Sequence, residues 1–101
     1  MIVVDDIEQY IIRQQLFGRF PFFAQKRNST NGLNEFIELF EDITFTNNIG
    51  LSTSIKYQAK KGDFLDISNT NNIFPVKKVD FMKYYKKANI EHNILDLDEV
   101  F

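Results

Sequence analysis

The spacing of apolar residues changes along the chain, and each change predicts a different element. In "VDDIEQYIIRQQLF", Val4, Ile7 and Ile11 recur at helical spacing. Asp5 or Asp6 can cap the first turn, where the peptide dipoles favour acids, so a helix is predicted over about residues 5–16. Gly18 ends it. Pro21 then starts the extended, apolar "FPFFAQKR", in which Phe20, Phe22 and Ala24 face one side of a strand. "NSTNG" is a turn by composition, with Thr30 or Asn31 available as a cap. In the "LNEFIELFEDI" that follows, Leu33, Phe36, Ile37 and Phe40 obey the i, i+3, i+4, i+7 rule. This predicts a second helix, with Glu35, Glu38, Glu41 and Asp42 on its solvated face.

Beyond that segment the period shortens. "ITFT", "GLSTSIKYQA" with Leu51, Thr53, Ile55 and Tyr57 alternating, "DFLDIS" and "NIFPV" read as strands. "KKGD" supplies a tight turn in which Gly62 is expected at positive φ, "SNTNN" reverses the chain, and "IFPVK" returns. Lys60–Lys77 is thus a hairpin, with Pro75 at an edge or strand end because it has no N–H to donate. "VDFMKYYKKA" reverts to helical spacing: Asp80 lies near its start, Val79, Phe81, Met82 and Tyr85 pack back on the sheet, and Lys83, Lys86 and Lys87 complement its C-terminal end.

These elements predict an α+β domain, a small antiparallel sheet with helices packed on one face. Residues 1–101 form a single domain, divided into an N-terminal helix in 1–18, an α+β core in 20–87 and an acidic-hydrophobic tail in 91–101. The tail contains Ile94, Leu95, Leu97, Val100 and Phe101. That is too much bulky apolar surface for a merely disordered end, so it is expected to dock with its acids near the lysines of residues 77–87.

Composition narrows the function. A chain of 101 residues, 44% hydrophobic with 11 Phe and 4 Tyr, can bury one core but not a core plus a deep cofactor cleft. It has no cysteine, which removes disulfides, thiolate zinc sites and thiol catalysis. Apolar runs are short and "MIVVDDIEQY" is acidic where a signal peptide is basic, so no membrane partner and a cytoplasmic location are expected. The formal charge of −2 conceals blocks: residues 1–8, 35–42 and 88–101 are acidic, 13–27 and 56–87 basic. With a pI near 5.3, the blocks are expected chiefly to neutralise one another.

Candidate chemistry is sparse. His92 is the sole histidine, in the polar "NIEHNILD", so no multi-histidine metal site can form and the ring is expected on the surface. Gly18, Gly32, Gly50 and Gly62 are too far apart for a phosphate loop, and Asp63 and Asp66 lack the spacing of a calcium loop and read as solvent-facing. No enzymatic activity, cofactor or metal is expected.

The segment "KKGDFLDISNTNNIFPVKKVDFMKYYK" resembles the C-terminal signature of small phage and prophage proteins of unassigned function, P-G-D-[YW] … Y-P-[VC]-[KP] … F-x-x-x-Y. Gly62, Asp63 and Phe64 match its opening, Phe74, Pro75, Val76 and Lys77 its second strand, and Phe81 and Tyr85 its closing pair. With "PFFAQKRNSTNGLNEFIELF" similar to that family's opening strand, turn and helix, the likeness covers about residues 21–87. Lys61 stands where the family has proline, Lys86 where an acid is common, and a usual tryptophan is missing. The resemblance implies a small α+β domain and no particular chemistry.

Binding remains. The first expectation is a phage-like or mobile-element accessory protein that binds a host or phage protein, with inhibition as one mode of action, through Tyr57, Tyr84, the charged blocks and the tail acids Asp96, Asp98 and Glu99. The second is single-stranded nucleic-acid binding through Lys60, Lys61, Lys77, Lys78, Lys83, Lys86 and Lys87, with Tyr84 or Tyr85 stacking on bases. The third is a structural component that assembles with itself as a homo-oligomer. Because the pattern spends most aromatics on a core, protein binding ranks first.

Overall fold

The protein is described by a computed structural model that covers residues 1–27, 32–48 and 53–88. The first helix forms, capped as predicted: the Asp6 carboxylate accepts from the Gln9 N–H at 3.2 Å, and α1 runs over Ile7–Leu16, but Val4, expected on its apolar side, belongs to a strand before it. Its buried stripe is Ile7, Tyr10, Ile11 and Gln14. Gly18, at φ 78°, closes it by donating to the Gln15 carbonyl while Arg19 N–H donates to Gln14, a left-handed cap that glycine reaches without strain.

The described residues also form eight strands: β1 (Ile2–Val4), β2 (Phe22–Lys26), β3 (Asn34–Glu38), β4 (Ile43–Asn48), β5 (Ser54–Ala59), β6 (Phe64–Asp66), β7 (Phe74–Val76) and β8 (Tyr85–Lys87). A second helix, α2, spans Lys78–Tyr84. The strands form a three-stranded sheet, β1-β4-β5, and a five-stranded antiparallel sheet, β7-β6-β3-β2-β8. β4 and β5 are antiparallel, whereas β1 runs parallel to β4. The fold is α+β, with two sheets where one was expected.

"LNEFIELFEDI" is not a helix. It forms β3, paired with β2 on one side and β6 on the other. Successive strand residues point to opposite faces; Phe36 is buried with Ala24, Phe64 and Phe81, and Ile37 with Leu39, Leu65 and the α1 stripe. Both faces of this central strand are therefore covered. Adjacent apolar residues on the two faces imitate half of a helical stripe, while its outer members, Leu33 and Phe40, are exposed. The helices likewise serve different faces: α2 adds Phe81 to the Phe36 cluster, and α1 joins the Ile37 cluster.

The hairpin is present, with β6 and β7 paired antiparallel and Pro75 in the outermost strand of its sheet. Gly62 has φ 92°, as expected. Other details differ. Phe20, Val79 and Met82 are exposed, and Phe81 is the buried residue of α2. Tyr85 leaves the helix in an extended conformation and starts β8, so the predicted helical end is a strand. Asp66 is 4% exposed and faces inward. It accepts from Asn34 Nδ2 at 3.1 Å and from the Ser68 N–H at 3.0 Å, which makes its burial tolerable. Residues 91–101, with the expected tail docking, lie outside the described residues, as do the turn before Gly32 and Leu51 of the third predicted strand.

Candidate functional site

Asp63 organises the basic segment. Its Oδ2 accepts from the Lys60 N–H at 3.0 Å and its Oδ1 from the Lys78 N–H at 3.1 Å. It thus caps α2 from fifteen residues upstream, while Asp80 lies in the first turn of α2 as expected. The bridge brings Lys60, Lys77 and Lys78 to one open groove of about 520 Å³, lined also by Gln58, Asp63, Pro75 and Val79. Rather than facing solvent as a plain strand residue, Asp63 is half-buried and holds two lysine-bearing segments together.

The remaining predicted lysines do not converge there. Lys61 is anchored by its backbone, whose N–H donates to Asp42 Oδ1 at 2.8 Å. Lys83, at the end of α2, lies 5.2 Å from the Tyr84 ring centroid, and Lys87 in β8 lies 4.6 Å from that of Phe22. Lys86 is exposed opposite Gln25 in the β2–β8 ladder. The basic residues therefore form two groups, one at the β5–β6 turn and one at the β8 edge.

The aromatic partners needed for base stacking are mostly committed to packing. Tyr57 is half-buried, its ring centroid 5.3 Å from that of Phe45. Tyr85 packs at 5.0 Å from Phe36 and 5.6 Å from Phe81, and burial, with the Asp66 charge second, raises its phenol above the ordinary range. Only Tyr84 of the proposed tyrosines is exposed. Asp96, Asp98, Glu99 and His92 lie outside the described residues.

A second surface escaped the sequence reading. The cap at Gly18 turns Arg19 back across the end of α1, where its Nη1 donates to Gln14 Oε1 at 2.9 Å. Gln14 is itself buried, so the guanidinium is held rather than free. It lies 4.5 Å from the Phe40 ring centroid and 5.9 Å from that of Phe17, attractive distances for a cation over an aromatic face. Phe17 is 72% exposed and Leu16 80%, with Ile12 one turn before Leu16 on the same side of the helix. Phe17 and Phe40 thus flank a fixed arginine, while Ile12 and Leu16 add exposed apolar surface on the outer side of the same helix, away from Gln14. The signal for this patch was available: Ile12 and Leu16 fall outside the Ile7–Tyr10–Ile11–Gln14 stripe, and Leu16-Phe17 sits directly before the capping glycine.

Among the described residues, no group of three or more His, Cys, Asp or Glu side chains could hold a metal ion, and no helix is long and apolar enough to cross a membrane. No protein family, curated protein or solved structure matches the chain.

Proposed function

We propose that the chain is a non-catalytic cytoplasmic accessory protein, of the phage or mobile-element kind that residues 21–87 resemble. It binds a protein partner through the exposed end of α1, with Ile12, Leu16 and Phe17, and through Phe40 beside Arg19. The observation that carries this reading is the arginine itself, held by buried Gln14 near the Phe17 and Phe40 rings at a helix end that also exposes Leu16. Phe and Arg are enriched at the cores of protein interfaces, and a pre-set guanidinium loses little freedom on binding. The matching partner face is apolar, with a carboxylate or carbonyl opposite Arg19.

Magnitudes limit what the patch can do alone. Four large side chains contribute at most about 6–12 kcal/mol if all become fully buried, and they are already partly covered. Association costs on the order of 4–15 kcal/mol in lost rigid-body freedom. The patch is therefore an anchor that needs neighbouring contacts. Occlusion of a partner's own apolar site is how such a protein would inhibit.

The convergence of Lys60, Lys77 and Lys78 supports single-stranded nucleic-acid binding as the second reading, weakened by the commitment of Tyr57 and Tyr85 to packing. Affinity capture from a nuclease-treated lysate of the source cells tests the two together. On the first reading, a stoichiometric protein band survives nuclease, disappears with Leu16→Glu and persists with Lys60→Glu plus Lys78→Glu. Loss of the band with nuclease, and oligothymidylate binding sensitive to the lysine changes alone, would transfer the function to the groove. A defined oligomer in light scattering that Leu16→Glu dissociates would make the patch a self-assembly surface.

A further inference from the structure

The start of the chain presents an incomplete sheet. Ile2 N–H donates to the Asp42 carbonyl at 2.9 Å, and β1 pairs with β4 in parallel register. Main-chain groups alternate in direction along a strand, so Ile2 and Val4 address β4 while the N–H and C=O of Val3 point outward. Val3 is 70% exposed, and no described strand lies beyond β1. α1 returns beside that edge. Ile2, Val3, Tyr10, Arg13 and Phe17 share one open groove of about 760 Å³, with Asp5 and Asp6 also on its lining. A strand edge facing a helix across an apolar floor is the arrangement in which a peptide adds as a strand and sets alternate side chains against the helix.

We propose that this groove takes an extended segment of a partner protein, added to β1 as a further strand. The occupant is apolar where it faces Tyr10 and Phe17, acidic where it passes Arg13, and basic toward Asp5. Charge placement supports this choice. Arg13 meets no carboxylate among the described residues, its Nε donating only to the Gln9 carbonyl at 3.4 Å. Asp5 and Asp6 lie where β1 gives way to α1, so the groove carries one sign at each end. Phe17 belongs to both this groove and the arginine-centred patch. The inference rests on the protein-binding reading and supplies the contacts that the patch lacks.

The probes are fluorescein-labelled peptides of alternating valine and threonine, with glutamates at one end and lysines at the other. They are made in both orders, each with a copy N-methylated at the central amide. Fluorescence anisotropy is expected to show binding for one order, weakened on the order of tenfold by N-methylation, the equivalent of about one hydrogen bond. Val3→Pro should weaken it similarly without disturbing the β4 ladder, since the N–H it removes faces outward. Arg13→Glu should weaken it and Leu16→Glu should not, so failure of the patch and failure of the groove are read separately. If Val3→Pro does not fold, the N-methylated peptides still decide. The inference is overturned if neither order binds, if binding ignores N-methylation, or if sedimentation shows a dimer that Val3→Pro dissociates, which would make the occupant a second copy.

Discussion

The two faces of the five-stranded sheet are covered by different means. On one, Phe36, Phe64 and Phe81 interlock with Phe22 and Tyr85: the Phe64 and Phe81 rings stack at 4.0 Å and Phe36 meets Phe81 edge-on at 5.1 Å. On the other, Ile37, Leu39 and Leu65 share a mainly aliphatic core with α1, the three-stranded sheet and Ile67 and Ile73, in which Tyr10 and Phe45 are the buried aromatics. The aromatic face depends on a few large side chains and one short helix, whereas the aliphatic face spreads its burial over many smaller ones. Loss of one side chain should therefore be felt more on the first.

Phe36→Ala is expected to give the largest effect, about 3–5 kcal/mol, because several rings lose a neighbour and the space cannot collapse easily. Ile37→Ala, one residue away on the opposite face, should cost about 2–3 kcal/mol, the low end for such a truncation, because its many small neighbours can close in. Urea denaturation of the pair measures the contrast, and equal midpoints would abolish it. Asp66 should come next. Asp66→Ala removes the buried acceptor for half-buried Asn34 and the Ser68 N–H from the aromatic face and is expected to cost about 1.5–3 kcal/mol, the worth of hydrogen bonds to a charged group. The aliphatic core's own buried amide, Asn47, is satisfied differently, donating to the Ile73 carbonyl.

Gly62 joins the two regions, since its turn leads from β5 in one sheet to β6 in the other. A Cβ there would meet only the Lys78 side chain, at 3.7 Å, so space is not the obstacle. The cost is conformational. Holding an L-residue at φ 92° should make Gly62→Ala destabilising by about 1–2 kcal/mol, opposite to the usual gain from replacing glycine. Thermal melts showing an unchanged or raised midpoint would contradict this.

What the sequence disclosed follows the reach of each interaction. α1, the β6–β7 hairpin and the Gly62 turn are governed by residues within a few positions of one another, and they were legible. β3 was not, because whether Phe36 and Ile37 share a side depends on partners distant in sequence. "KYYKK" continues a helical spacing, yet the Tyr84 carbonyl accepts from the Arg27 N–H and the following residues pair with β2. β1 is three residues long and pairs with a strand some forty positions away, beyond what a local pattern encodes. The lysines were visible as composition, but their division into two groups depends on Asp63. The patch required Arg19 to meet Phe40, which sequence reasoning had assigned to a buried helix face.

Each face also carries one tyrosine near a carboxylate, and the smallest expected effect separates them. Tyr10, at the aliphatic core, donates its hydroxyl proton to Glu41 Oε1 at 2.8 Å. Burial first, then the hydrogen bond and charge of Glu41, push it well above the ordinary 10.0. Tyr85 is raised in the same direction by burial and the Asp66 charge, without the direct bond. Both folded-state values exceed the unfolded one, so the unfolded chain loses these protons first. The stability they contribute is whole below the unfolded value and disappears as pH rises through the folded values. In a phenolate absorbance titration, Tyr10→Phe should remove the most alkaline part of the rise and Tyr85→Phe an earlier part. Glu41→Gln should bring Tyr10 only partway back, because burial, the larger cause, remains. If Glu41→Gln restored Tyr10 fully, the carboxylate rather than burial would dominate; if Tyr10→Phe left the alkaline limb unchanged, the contrast between the two tyrosines would be lost.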